Sequence, residues 1–307
     1  MLKFVLCHLN YRAINYLRFS NTKNLFPNLK LMLFVQNILN YGAIVNNQIV
    51  IPMTGNGSRF VNRGYEDLKP IIKIHNKPMI KWVTEMFDIH NDEFLFICRE
   101  DHLSSIPNLR NTLESLVKKY QVISLSNWKK MGPAFDVLQA LKFIDDQRPI
   151  YISYCDYYMH WDYEGFHRKV QSKKYDGGIP CYFGFHPHLI HKENLYASCK
   201  VDKNNNLIEI KEKFAWSDDR FKNLNSPGLY YFKNKTLFSS ATQKMIDAGD
   251  SINGEYYISL VFNYLNDERN KVYCPENVTS FCQWGTPSDL NEYETWINYL
   301  SFNKGLQ

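Results

Sequence analysis

Beyond residue 47 the spacing of apolar positions alternates between two periods. "QIVIPM" (48–53) is a short unbroken apolar run, the pattern of a strand buried on both faces. "PMIKWVTEMFDIH" (78–90) spaces its apolar residues three and four apart, as one face of a helix does. "EFLFIC" (93–98) then predicts a strand, "NLRNTLESLVKKY" (108–120) a helix, "QVISLS" (121–126) a strand, "AFDVLQALKFIDD" (134–146) a helix and "PIYISYCD" (149–156) a strand. Strands alternating with helices of this length predict βαβ units, hence an α/β chain with a mostly parallel sheet flanked by helices.

After Asp176 the texture changes to mixed α+β. "GGIPCYFGF", "YASCKVD", "LIEIKEK" and "GLYYFK" are strand-like, with "DKNNN" as the turn between the second and third. Two helices follow, "KTLFSSATQKMIDAG" and "EYYISLVFNYLNDE", then the strands "KVYCP" and "TSFCQW" and a last helix from Ser288. No repeat, low-complexity linker or Pro/Gly/Ser hinge separates the two halves, which predicts that they share one sheet within a single domain of residues 48–303. Its halves are about 48–160 and 161–303.

Composition narrows the class. The 307 residues are 45% hydrophobic and 15% aromatic, enough for one large core and too apolar for disorder. No apolar run is long enough for a transmembrane segment. The seven cysteines are odd in number, scattered and without a C-x-x-C pair, which fits reduced thiols in a cytoplasmic protein rather than a disulfide framework or structural zinc. The net charge of +5 sits wholly in residues 1–47, where Lys3, Arg12, Arg18, Lys23 and Lys30 meet no Asp or Glu. The remainder balances, so nucleic acid is not an expected partner. Residues 1–47 fit a signal peptide poorly and could form a basic membrane contact. They are expected to be an extension outside the domain.

Chemistry concentrates in "IPMTGNGSRF" (51–60), which follows the first strand. In an open parallel sheet ligands bind outside the carboxyl ends of the strands, and small residues there let backbone N–H groups approach an anion. The stretch is neither a Walker A loop nor G-x-G-x-x-G, because position 60 is Phe, and a G-N-G turn alone is more often structural. It runs on, however, to Lys69-Pro70 and Lys77-Pro78-Met79-Ile80. Strand, G-x-G-[ST]-R-[FL], K-P and a second K-P-M-[IL] in this order resemble the nucleotidyltransferase family that makes nucleotide-sugars and related activated head groups. The likeness extends over about 48–296. "MGPAFDVLQA" resembles that family's base-binding stretch, "SYCDYYMHWD" its metal-binding stretch and "IKEK" its acceptor element. "SPGLYYF", "NGEYYIS" and "WGTPSDL" resemble its later motifs.

The resemblance implies a Rossmann-like, nucleotide-diphospho-sugar transferase-like fold and transfer of a nucleotide from CTP, UTP, GTP or dTTP to a phosphorylated small molecule, releasing pyrophosphate. An ionised acceptor phosphate needs no general base; the site must hold two polyanions in line, which calls for Mg²⁺, cations and backbone donors. Arg59 suits the β- and γ-phosphates, Lys69 the α-phosphate and the leaving group, and Asp156, ending its strand, Mg²⁺. Met53, Thr54, Gly55, Asn56, Gly57 and Ser58 are expected to hold the nucleotide together with Gly132, Pro133 and Ala134. Glu212, Lys213 and Gly228 are expected on the acceptor side. Each has an ordinary alternative: a helix cap for Asp156, a solvated charge for Lys69 or Lys213, a helix start for 132–134. Lys77 is taken as structural.

Many sugar 1-phosphate members carry a second metal-binding Asp just before the closing G-T, where this chain has Gln283 and Trp284. Asp289 is a weak substitute, looking more like a first-turn helix acid. The departure leaves the acceptor open between a sugar 1-phosphate for capsule or LPS-type polysaccharide and a non-sugar phosphate of the phosphocholine or phosphoramidate kind. His186, His188 and His191 in "FHPHLIH" lack metal-site spacing and read as a loop. His160 and Trp161 could stack on a ligand or pack in the core. A glycosyltransferase would want D-x-D, and Asp156 and Asp162 are too far apart for that. A silent regulatory subunit would be expected to lose Arg59, Lys69 or Asp156. A homo-oligomer is left open.

Overall fold

The computed structural model describes residues 46–186, 189, 196–265 and 270–304. The expectation for residues 1–47 lies, apart from its last two positions, outside them. The chain enters as β1 (Gln48–Pro52), whose five residues are all buried. A seven-stranded sheet grows around it in the order β13-β8-β12-β6-β1-β4-β5. These strands are β4 (Glu93–Arg99), β5 (Tyr120–Leu125), β6 (Ile150–Ser153), β8 (Gly177–Gly178), β12 (Leu229–Phe232) and β13 (Val272–Tyr273). β1 runs parallel to β4 and β6, β4 parallel to β5, and only β12 is antiparallel to its neighbours β6 and β8. Strands from both halves thus share one sheet, as the absence of a hinge predicts.

Strand alternation divides the core. Val50, Leu95, Ile97 and Ile152 face one layer, with Val137 of α5 (Pro133–Gln139), Phe238 of α7 (Lys235–Asp247) and Phe262 of α8 (Ile258–Leu265). Ile49, Ile51, Phe94, Phe96 and Tyr151 face the other, with Ile80 of α2 (Met79–Thr84), Leu113 of α4 (Leu109–Leu116) and Phe166 of α6 (Tyr163–Ser172). Burial on both faces is why the strands read as near-continuous apolar runs.

Beside this sheet, β2 (Lys73–Ile74) pairs with β3 (Lys77–Pro78), β9 (Ala197–Val201) with β10 (Leu207–Glu212) and β11 (Leu224–Asn225), and β7 (Tyr157–Trp161) with β14 (Val278–Gln283). α1 (Ser58–Val61) and α3 (Glu100–Ser105) are short, and α9 (Pro287–Lys304) closes the chain. Several predicted elements are shorter than expected. The helix predicted over 78–90 stops at Thr84, because the Asp88 carboxylate collects the N–H groups of His90 and Asn91 into a turn. "GGIPCYFGF" supplies two strand residues and then only single bridges from Cys181 and Tyr182. β7 and α6 carry no expectation from the sequence pattern.

Candidate active site

β1, β4, β5 and β6 end at one edge of the sheet, and the loops that follow β1, β5 and β6 wall a cavity of about 720 Å³. Its size is that of a small-molecule site. Met53, Thr54, Gly55, Asn56, Gly57, Ser58 and Arg59 line it from the first loop. Gly57 has φ 61°, and a Cβ there would lie 3.3 Å from the Lys69 Cβ, so glycine lets the loop pass against Lys69. Lys69 begins a 3₁₀ turn (Lys69–Ile71) with Pro70 in its first positions.

The Lys69 Nζ donates to Asp156 Oδ2 at 2.6 Å and to the Gly285 carbonyl at 3.1 Å, and lies 5.5 Å from the centre of the Phe60 ring. One ammonium thus joins the first loop, the end of the fourth parallel strand and the closing G-T segment. The β7–β14 pairing sets Tyr157 opposite Gln283, and the Trp284 N–H donates to the Asp156 carbonyl at 2.9 Å. Gln283 therefore sits beside Asp156, on the cavity wall. Its Oε1 is buried with no partner, while its Nε2 reaches Asp289 Oδ2 at 3.4 Å. Asp289 is occupied in the first turn of α9, accepting from the Thr286 N–H at 2.8 Å. Among the described residues no three His, Cys, Asp or Glu side chains form a metal cage. One carboxylate, an orphaned amide oxygen and room for phosphate oxygens and water match a hard divalent cation that keeps most of its own shell.

Gly132 and Pro133 line the cavity; Ala134 does not, being fully buried in the core with its N–H given to the Tyr256 carbonyl at 3.1 Å. Gly132 has φ 92°, and a Cβ there would stand 2.5 Å from the Tyr256 nitrogen. The "NGEYY" segment is therefore docked, backbone to backbone, on the segment resembling a base pocket, and this delays α8 from Glu255 to Ile258. Asp136 was not singled out in the sequence. It is 2% exposed, accepts from Thr54 Oγ1 at 2.5 Å and from Trp128 Nε1 at 2.8 Å, and burial pushes its carboxyl up to about 6. The only signal for it was an acid inside an otherwise apolar helix pattern.

Glu212, Lys213 and Gly228 also line the cavity. Glu212 ends β10, its carboxyl raised by burial and bonded by the Ser259 hydroxyl. Lys213 is exposed, in the left-handed region at φ 52°, with its N–H on the Tyr196 carbonyl at 2.9 Å. A Cβ on Gly228 would meet the Tyr154 ring at 2.8 Å. Tyr154, Tyr196, Tyr257 and Phe281, absent from the sequence-based set, line the cavity as well. Lys77, by contrast, pairs with Glu85 at 2.6 Å and lies over the Trp82 ring, off the cavity. Trp161 packs among Phe87, Tyr151 and Phe166, and Asp162 caps α6 through the Gly165 N–H; neither is on the cavity wall. His186 meets the Tyr182 ring edge-on, whereas His188 and His191 lie outside the described residues. Among the described residues no helix is long and apolar enough to cross a membrane.

The fold is shared with solved structures. A nucleoside-diphosphate-sugar pyrophosphorylase from Vibrio cholerae RC9 superposes with a TM-score of 0.63 at 21% identity, over 80% of this chain and 99% of its own. HddC from Yersinia pseudotuberculosis gives 0.57 at 17% identity, over 82% and 99%. The UTP-bound UGPase from Acinetobacter baumannii gives 0.60 at 13%, over 82% and 93%. No curated protein matches the chain in sequence. The Nucleotidyl transferase family profile, however, matches residues 49–297, nearly the whole of the described fold. Members of this family generally work with a divalent metal ion. The chain belongs to the nucleotidyl transferase family and is a nucleotidyltransferase enzyme.

Proposed function

We propose that the enzyme transfers a nucleoside monophosphate from a nucleoside triphosphate to a phosphorylated small molecule and releases pyrophosphate, in the cytoplasm, for capsule or LPS-type surface polysaccharide. The observation that carries this reading is that one cavity is lined at once by the glycine loop with Arg59, by Lys69 beside Asp156, and by Glu212 and Lys213. Two polyanions need such an arrangement, cations at their junction and separate walls for base and acceptor.

In this reading the glycine loop and Arg59 take the β- and γ-phosphates, and Lys69 bonds the α-phosphate and steadies the charge that grows on the departing pyrophosphate. Lys213 holds the acceptor phosphate and Glu212 faces the rest of the acceptor. Asp156, with the Gln283 amide oxygen beside it, holds Mg²⁺, which supplies charge neutralisation of the phosphates when bound. The attacking acceptor oxygen is already ionised, so the residues orient it and move no proton.

A sugar 1-phosphate acceptor is supported by the nucleotide-sugar chemistry named for the V. cholerae structure. One observation favours a second acceptor class. Tyr154, Tyr196, Tyr257 and Phe281 line the same cavity as the Glu212 carboxyl, and such a concentration of aromatic rings suits a cationic, non-sugar head group such as a choline-type phosphate. Incubating CTP, UTP, GTP, ATP and dTTP with panels of sugar 1-phosphates and amine-bearing phosphates, and reading pyrophosphate release, tests both. Release with a sugar 1-phosphate alone removes the second reading, and release with an amine-bearing phosphate alone removes the first.

A further inference from the structure

Trp128 lies in the loop between β5 and α5, half-buried, on the cavity wall with Gly132 and Pro133. Two of its surfaces are fixed. Its Nε1–H is held by Asp136 at 2.8 Å, and one ring face is covered by the Arg99 guanidinium, 4.4 Å from the ring centre. Arg99 is itself clamped, by the Asp101 carboxylate and by the Asn56 side-chain oxygen. Asp136 in turn accepts from Thr54 at 2.5 Å. Both tethers therefore start in the glycine loop, Thr54 through Asp136 and Asn56 through Arg99, and both end on one indole. An indole held by its edge and backed by a cation is a rigid plane, and this one lines the cavity.

We infer that Trp128 is the stacking platform for the nucleobase, with Asp136 and Arg99 as its positioning residues. This rests on the nucleotidyltransferase reading and adds to it the element that binds the base. Both Asp136 oxygens are already bonded, so the carboxylate's work is to hold the indole rather than to read a base edge. A stacked plane accepts any base, because every base has a π face, so choice among bases is made elsewhere on the wall. Arg99 behind the ring adds cation–π attraction that keeps the plane in place without touching the ligand.

The test measures equilibrium binding of the five nucleoside triphosphates and of inorganic tripolyphosphate, a probe with phosphates and no base, to the whole chain with Mg²⁺. Trp128→Leu keeps apolar bulk and removes the aromatic face. It should weaken binding of the preferred triphosphate about tenfold or more while leaving tripolyphosphate unchanged. Trp128→Phe should recover most of the loss. Asp136→Ala should lose more affinity for the triphosphate than for tripolyphosphate, and Asp136→Asn, which can still accept from the indole and donate to Thr54, should restore most of that loss. Unchanged triphosphate binding in folded Trp128→Leu overturns the platform alone. Equal loss for both probes also overturns it, since Trp128 would then only brace the glycine loop. If the parent chain binds none of the five triphosphates, the nucleotidyltransferase reading falls and takes the platform with it.

Discussion

In the proposed mechanism the chemistry turns on Asp156 and Lys69, yet their 2.6 Å contact also gives each an ordinary explanation as half of an ion pair. Kinetics separates the two roles. Asp156→Asn keeps a hydrogen-bond acceptor for Lys69, so melting should stay near that of the parent, while turnover falls by about 100-fold or more if the carboxylate holds Mg²⁺. Near-normal turnover at saturating Mg²⁺ would leave Asp156 a structural partner only. Lys69→Ala should lower kcat and kcat/KM together, since the charge it meets develops in the transition state. Lys213→Ala should raise KM for the acceptor and leave KM for the triphosphate alone. Asp136 carries a pH signature. Burial raises its carboxyl to about 6, so the native state binds more protons than the unfolded chain between the usual carboxylate range and pH 6. The stability it contributes is present at low pH and lost as pH rises through 6. Asp136→Asn should match the parent in melting temperature at pH 4 and exceed it at pH 8; a gap that is constant with pH would contradict this. Arg59, Lys69 and Asp156 were legible as candidates because they stand in local motifs, and all three line the cavity. Trp128, Arg99 and Asp136 were not, because what binds them together is contact between loops separated along the chain by tens of residues.

At the scale of elements, the clearest constraint is the docking of residues 254–257 on Gly132. Gly132→Ala puts a Cβ 2.5 Å from a backbone nitrogen at a φ of 92°, and neither atom can yield without moving a strand-end loop. We expect a loss of about 2–4 kcal/mol in urea unfolding and a higher KM for the triphosphate. A loss below about 0.5 kcal/mol would show that the loop is free to shift. Elements with a strong period were legible: β1, β4, β5 and α7 fall where their patterns place them. The sequence misplaced ends where a side chain or another backbone captures N–H groups, as at Asp88 after α2 and at Tyr256 before α8. β7 escaped notice because its residues carry aromatic rings on both sides, so no two-residue period shows in "YYMHW".

For the whole molecule, β1 finds its partners inside the sheet: the Gln48 N–H donates to the Pro149 carbonyl at 3.1 Å and the Asn47 carbonyl accepts from the Glu93 N–H at 2.9 Å. A chain begun at Asn46 should therefore melt near the temperature of the full chain and keep its activity; aggregation on truncation, or loss of a liposome-binding signal that the full chain shows at low salt, would mean that residues 1–45 do more than extend it. The central claim is that the cavity joins a nucleotide to a phosphate, and the direct test follows the α-phosphorus. With the preferred triphosphate labelled at that atom, incubated with Mg²⁺ and the acceptor that elicits pyrophosphate release, the account predicts label in an acceptor–nucleotide conjugate linked through a diphosphate, and none in pyrophosphate. Label recovered only as free nucleoside monophosphate, at the same rate with or without acceptor, would make the protein a hydrolase and contradict the account.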